Sequence, residues 1–283
     1  LTFAQALLLA VLQGASELFP VSSLGHTVLV PALLHWRIDR SDPGFLAFVV
    51  ALHFGTAVAL IVFYRSDWVR IVRAGFASIV RGRLSDDPSE RIAWLLVAGT
   101  IPVAILGVLL EKPVRQLFGS PALVAGFLIL NAFIMFAGER LRRGARENGA
   151  SRALATLPLS DGVKVGASQA LALFPGISRS GSSIVGGLLL GLSHDDAARF
   201  SFLLATPAIF AASVLELPRL FSAGAQGMLG EAALGTLVAG VTAYASVAFL
   251  TRYFHTNDLR PFGWYCLIFG AICLTLALAK VIA

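Results

Sequence analysis

Glu17, Ser22, Ser23 and His26 lie within ten residues of one another, in a short polar interruption of an otherwise apolar chain. Ser178, Arg179, Ser180 and Gly181 form a second such interruption far along the sequence. The first stretch, Gln13 to Thr27, reads QGASELFPVSSLGHT, and the second, Gln169 to Ser183, reads QALALFPGISRSGSS. Gln13 and Glu17 are four residues apart and share a helix face. An ionisable side chain in an apolar segment costs a few kcal/mol unless it meets a partner or water, which makes Glu17 a candidate for function. The plainer alternative is a break that surfaces at the membrane interface and leaves Glu17 solvated. Beyond Pro20 a helix is expected to begin at Ser22 and Ser23, with His26 three and four residues on, so either hydroxyl can face the imidazole. A hydroxyl beside an imidazole is the minimal pairing for an activated nucleophile or a general acid. Helix capping competes for one of the two serines. His53, alone in the middle of an apolar run, is expected to be structural.

The second stretch offers a different set of groups. Arg179 supplies a fixed positive charge, Ser178 and Ser180 supply hydroxyls, and a helix opening at Gly181 supplies free N–H groups. A helix amino terminus favours phosphate, and Arg binds it in bidentate fashion. Pro175-Gly176 permits the turn that such a break needs. Arg179 as an interfacial anchor is the competing reading, set against its place between two apolar segments. Together the breaks offer a carboxylate, a hydroxyl, an imidazole and an anion cradle. His and Cys show no zinc-like spacing. A Mg²⁺ or Ca²⁺ ion bridging Glu17 to a diphosphate is compatible with oxygen ligands, and no organic cofactor is expected.

The two stretches are related. An offset of 156 places superposes Gln13 on Gln169, Ser22 on Ser178, Gly25 on Gly181 and Thr27 on Ser183, and the two Phe-Pro pairs need one residue less. What must position them is a membrane-embedded scaffold. Of 283 residues 57% are hydrophobic and 13% charged, too few charges to cover a soluble globule. Several runs long enough to cross a bilayer core of about 30 Å as helices lack any Lys, Arg or Asp. The fold class expected is an all-α polytopic membrane protein made as one integral domain over residues 1–283.

Its grammar is stated twice. Apolar segments at Thr2–Glu17 and Leu24–Trp36 are each too short to span, so they form one broken span or a re-entrant hairpin. Spans follow at Phe45–Tyr64, Ile92–Leu110 and Ala122–Gly138. The second half has a break between Asp161–Leu173 and Gly181–Leu192, then spans at Arg199–Glu216, Ala232–Leu250 and Phe262–Ile282. Repeat 1 covers about residues 1–138 and repeat 2 about 161–283. If both breaks are re-entrant, each half crosses three times and the halves are inverted, with broken helices meeting near the midplane. The polar loop Arg65–Arg91 holds six arginines and Glu139–Arg152 holds five, which assigns both to the cytoplasmic side. The connection carrying Glu111, Lys112 and Arg115, and the loop around Arg37, then lie outside. The net charge of +6 is explained by these loops, so nucleic acid is not expected as a partner. No basic segment precedes Leu1–Leu12, so the first segment is expected to belong to the fold rather than to a signal peptide. Cys266 and Cys273, seven apart, are expected on one helix face as small core residues.

QGASELFPVSSLGH, PGISRSGSS and the stretch FSFLLATP at Phe200–Pro207 resemble the motifs of the undecaprenyl-diphosphate phosphatase family, the bacitracin-resistance membrane phosphatases of bacteria. The resemblance runs over nearly the whole chain. It implies removal of the terminal phosphate of the C55 isoprenyl diphosphate, which regenerates the lipid carrier for cell-wall precursors. It also implies a bacterial inner-membrane location, with the site opening to the periplasmic face. Carried over by position, it gives catalytic roles to Glu17, Ser23, His26 and Arg179. Gln13, Ser22, Ser178, Ser180, Gly181 and Ser183 then contact the substrate, and Glu17 holds the metal if there is one. Four positions depart from the pattern: Gln13 stands where many members have a second Glu, Leu24 where Thr is usual, Ser183 for a Thr, and His53 where Gln is often found. Ser23, His26 and a water activated by Glu17 all remain candidate nucleophiles. Undecaprenyl diphosphate and membrane lipid are the expected partners, with a homodimer an allowed assembly. A lipid-phosphate flippase is the competing reading, because inverted halves with broken helices are also a carrier architecture.

Overall fold

The structure is a computed structural model that describes residues 1–36, 38, 42–115, 120–147, 152–216 and 228–282. Arg37 and the side chains of Glu111, Lys112, Arg115 and Arg146 lie outside the described residues. Among the described residues the chain is all helical, in the order α1 Phe3–Ser16, α2 Ser23–Leu33, α3 Pro43–Phe63, α4 Arg65–Arg81, α5 Pro88–Arg115 and α6 Pro121–Glu147, then α7 Leu159–Gln169, α8 Arg179–Leu189, α9 His194–Glu216, α10 Leu229–Tyr253 and α11 Arg260–Leu278. Short 3₁₀ turns occupy Leu154–Thr156 and Ala170–Leu173.

Six of these helices are long and apolar enough to cross a membrane, and they lie where the six spans are expected: α3, α5, α6, α9, α10 and α11. Their outward faces are apolar, as Val108 at 78% and Leu278 at 71% exposure illustrate, while Gln13, Glu17, Asn131 and Gln169 are buried. That distribution inverts the soluble pattern and suits a lipid surround, in which polar groups must be satisfied internally. The chain is thus a multi-pass membrane protein.

The four short helices come in two pairs. With 14 and 11 residues, α1 and α2 reach only about 21 and 17 Å at 1.5 Å per residue, well short of a bilayer core. Helices α7 and α8, with 11 residues each, are shorter than α1 or equal to α2. Each pair is wedged against spans of the other half: α1 packs on α10, and α7 on α5. The second contact is tight enough that a Cβ at Gly166 would lie 2.7 Å from the Gly99 carbonyl carbon, so only glycine allows it. Helices α3 and α9 pack on each other, as do α6 and α11, joining the first half of the chain to the second.

One expectation is corrected. Residues 65–81 of the expected polar loop Arg65–Arg91 form helix α4. Its arginines at 65, 70, 73 and 81 are interleaved with apolar residues, and Ile71 and Ala74 are buried while Phe76 and Val80 stay exposed. Counting charges conceals this amphipathic period, and an apolar stripe edged by arginines suits a helix lying in the membrane interface.

Candidate active site

Both breaks are built from the same local device. In the first, α1 ends at Ser16 with Glu17 as its C-cap, and the chain turns through Phe19-Pro20 to Ser22, whose Oγ accepts from the Gly25 N–H at 3.2 Å and caps α2. In the second, Ser178 Oγ accepts from the Gly181 N–H at 3.1 Å and caps α8. The serines and glycines that the repeat superposes therefore do the same job, supplying the first turn of a helix with an acceptor. The corners differ in how they are made. Ser22 takes a positive φ of 68°, a conformation that costs a non-glycine residue roughly 1–3 kcal/mol and persists only where neighbours impose it. Gly176 has φ of 113°, and a Cβ there would meet Phe127 Cβ at 2.8 Å and Leu128 N at 2.9 Å.

Residues distant in sequence then join the corners. Arg179 Nη2 donates to Glu17 Oε1 at 3.0 Å, so the acid of one break meets the guanidinium of the other. Ser180 Oγ donates to the Phe19 carbonyl at 3.1 Å. Asn131, fully buried on α6, donates through Nδ2 to the Pro20 carbonyl and accepts through Oδ1 from the Ser178 N–H, both at 3.0 Å. One side chain thus staples both corners, and sequence reasoning passed over it. The available signal was a single Asn in the apolar run of α6, since an amide in a span needs partners across helices. Asn131→Leu, close in size, removes the acceptor of the Ser178 N–H at about 1–3 kcal/mol and leaves the Pro20 carbonyl with the weaker Cys266 thiol donor alone. We expect it to lower the unfolding midpoint of the detergent-solubilised protein, and an unchanged midpoint would contradict the staple.

Around Glu17 the carboxylate is contacted at both oxygens. Its Oε2 accepts from Ser23 Oγ at 2.5 Å and from Gln13 Nε2 at 3.0 Å, and His53 Nε2 lies 3.4 Å away. His53 therefore does not merely fill the span: it faces the site, with Nδ1 held by the Val49 carbonyl at 2.8 Å. Its signal was the departure at that position, because a place often held by Gln in similar proteins directs a polar side chain inward. A cavity of about 480 Å³ opens over this cluster, with Glu17, Ser22, Ser23, His53, Gln169, Ser178 and Arg179 on its wall. Leu46, Val49, Val50, Val103 and Ile209 make the rest of that wall largely apolar. Arg179 keeps a second amino group, Nη1, buried and without a partner.

Other expected site residues stand elsewhere. The side chain of His26 makes no pair with a serine hydroxyl: Nδ1 is 2.8 Å from the Ser22 carbonyl and Nε2 is 2.7 Å from Tyr265 Oη. Its ring stacks on Tyr265 and Phe269 of α11, away from the cavity wall. Ser183 is in α8 and turns toward α9, donating to the Arg179 carbonyl at 2.8 Å and standing 2.6 Å from Ser201 Oγ. The Gly181 N–H is held by the Ser178 cap, and the Ser178 and Ser180 hydroxyls are 3.0 Å apart.

A cation at Glu17 fits this donor set poorly. Both carboxylate oxygens already accept from neighbouring donors, one of them a guanidinium, and among the described residues the buried oxygens without a partner near them are the amide oxygens of Gln13 and Gln169. A Mg²⁺ or Ca²⁺ ion at Glu17 would compete with three donors at Oε2 and meet the like charge of Arg179 at Oε1.

Comparison with known proteins bears on the arrangement as a whole. The chain is 50% identical over 277 residues to an undecaprenyl-diphosphatase of Acidiphilium cryptum, with 96% of each chain covered. It is 48% identical over 296 residues to one of Mycobacterium avium, covering 97% of both. It is also 48% identical over 276 residues to undecaprenyl-diphosphatase 2 of Chromobacterium violaceum, covering 95% of this chain and 96% of that one. Residues 6–272 match the family model described as bacitracin resistance protein BacA. The same span holds every residue of the two joined breaks, and the chain belongs to the bacitracin resistance protein BacA family.

Proposed function

We propose that the protein is an undecaprenyl-diphosphate phosphatase, hydrolysing the terminal phosphate of the C55 isoprenyl diphosphate to give undecaprenyl phosphate and inorganic phosphate. Such an activity recycles the lipid carrier of cell-wall synthesis and opposes bacitracin. The observation that carries the reading is the Glu17–Arg179 pair beside Ser23 at an otherwise apolar cavity. An acid, a hydroxyl and a guanidinium with one free amino group suit phosphoryl transfer, which asks mainly for positioning and charge neutralisation. The apolar wall suits a prenyl tail. In this reading Arg179 keeps Glu17 on Nη2 and offers Nη1 to the terminal phosphate. Ser23 Oγ attacks phosphorus, its proton passes to Glu17, and the bridging P–O bond breaks with the electron pair leaving on the prenyl monophosphate. Water then cleaves the phosphoserine and releases inorganic phosphate. Glu17 manages the proton in preference to His26 because the Ser23 hydroxyl donates to Glu17, whereas both His26 nitrogens face other partners.

The inverted-repeat architecture belongs to the same proposal, with residues 1–283 forming one integral domain. Its support is the reciprocal packing of α1 on α10 and α7 on α5, together with the matched Ser-to-Gly caps. Placement in the bacterial inner membrane follows from the phosphatase reading, and a site facing the periplasm is supported by the course of α9. Its His194 end pairs with Glu139 near the arginine-rich end of α6, whereas Ala208, Ile209, Ala212 and Ser213, roughly two dozen ångströms along the helix, line the cavity. Membrane lipid surrounds the spans, and a homodimer is the assembly proposed if the protein associates.

The test is phosphate release by the purified protein in detergent with farnesyl diphosphate, a short prenyl diphosphate, as substrate. Steady release is expected without a sealed compartment. A flippase alone releases none, and that outcome would reject the phosphatase reading.

A further inference from the structure

Gln169 is the last residue of α7 and only 1% exposed, yet it stands on the cavity wall with both amide atoms, Oε1 and Nε2, lacking a hydrogen-bond partner. Burying a primary amide unpaired is expensive, and native proteins rarely keep one without a use. The internal repeat shows how it arises. Its counterpart Gln13 donates through Nε2 to Glu17, four residues on, at 3.0 Å. Four residues after Gln169 the chain has Leu173, so no carboxylate is there to hold the amide. The helix also ends at this point, giving way to the 3₁₀ turn Ala170–Leu173, and Ala172 and Leu173 continue the apolar wall beside it. Arg179 Nη1 is the other buried donor on this wall without a partner.

Resting on the phosphatase reading, we infer that the Gln169 carboxamide is a substrate-binding residue that donates through Nε2 to the phosphate retained on the prenyl chain, while Arg179 grips the phosphate being transferred. The division follows from position and charge. Arg179 is tied to Glu17, whose other oxygen holds Ser23, so its free amino group belongs where the new P–O bond forms. Gln169 borders the apolar residues against which the prenyl tail would lie. A neutral amide orients the retained phosphate without the charge that would trap the monophosphate product.

The experiment compares wild type with Gln169→Met, which keeps the length of the side chain and removes its polarity. Readouts are turnover of farnesyl diphosphate and binding of farnesyl monophosphate and of a non-hydrolysable farnesyl methylenediphosphonate, all with the full chain in detergent. The loss of one hydrogen bond to a charged group predicts KM and both dissociation constants raised by about 10-fold or more, with kcat within about 3-fold. The unfolding midpoint without ligand should stay level or rise, since an unpaired buried amide has been removed. Gln169→Glu, of the same shape, turns a carboxylate toward the phosphates and should raise KM further. That variant carries the test if the Met variant does not fold. Wild-type binding and KM in both variants would overturn the inference while leaving the phosphatase reading intact. A wild-type chain that releases no phosphate would reject that reading, and the role of Gln169 with it.

Discussion

Arg179→Ala is expected to lower kcat/KM on farnesyl diphosphate by about 10³-fold or more, the scale found when a preorganised charge at the transferring group is removed. Two losses combine. The terminal phosphate loses the cation that would neutralise its growing charge, and Glu17, buried at 8% exposure, loses its only guanidinium partner. Breaking a buried ion pair from one side typically costs about 3–5 kcal/mol, so the variant should also unfold more easily. Arg179→Lys separates the two effects. One ammonium can stay with Glu17 and restore much of the stability, but it lacks the second prong that Nη1 supplies. We therefore expect the Lys variant to regain thermal stability and to remain at least about 10-fold impaired in turnover. A Lys variant with wild-type turnover would show that charge alone suffices and that the two-pronged role is wrong.

Much of this arrangement can be read before any coordinates. Six spans follow from apolar run length because the lipid requirement is severe and local. The meeting of Glu17 and Arg179 is foreshadowed by the match between the two breaks: a carboxylate in one apolar-flanked break and a guanidinium in the other satisfy each other if the breaks meet. Residues whose placement depends on distant partners are less legible. His26 can face Ser22, Ser23 or neither at the same spacing, and Tyr265, 239 positions away, draws its ring toward α11. Asn131 joins Pro20 to Ser178 across 111 and 47 positions, a relation no local pattern encodes. His53 looks like a lone core histidine until α3 is packed against the first break, and α4 looks like a loop until its arginines are set on a helical wheel.

Ser23→Ala is expected to reduce kcat by about 10³-fold or more and to leave KM nearly unchanged, as befits a group whose bond to phosphorus exists only in the transition state and after. The Ser23 hydroxyl points at Glu17 at 2.5 Å from a cavity wall that also carries Arg179, whereas His26 presents both ring nitrogens to other partners. His26→Gln should accordingly retain far more activity than Ser23→Ala, its deficit traced to a loosened Ser22 corner. Rapid quenching of the wild type with β-³²P-labelled farnesyl diphosphate, followed by peptide mapping, should place the label on Ser23. Glu17→Gln keeps the shape and a hydrogen bond to Ser23 but cannot take its proton, so it should block formation of the labelled enzyme. Label on His26, or wild-type turnover by Ser23→Ala, would move the attack to the imidazole or to water. Arg179 and Glu17 would then keep their places, since the charge on the transferred phosphate must be met whichever atom attacks it.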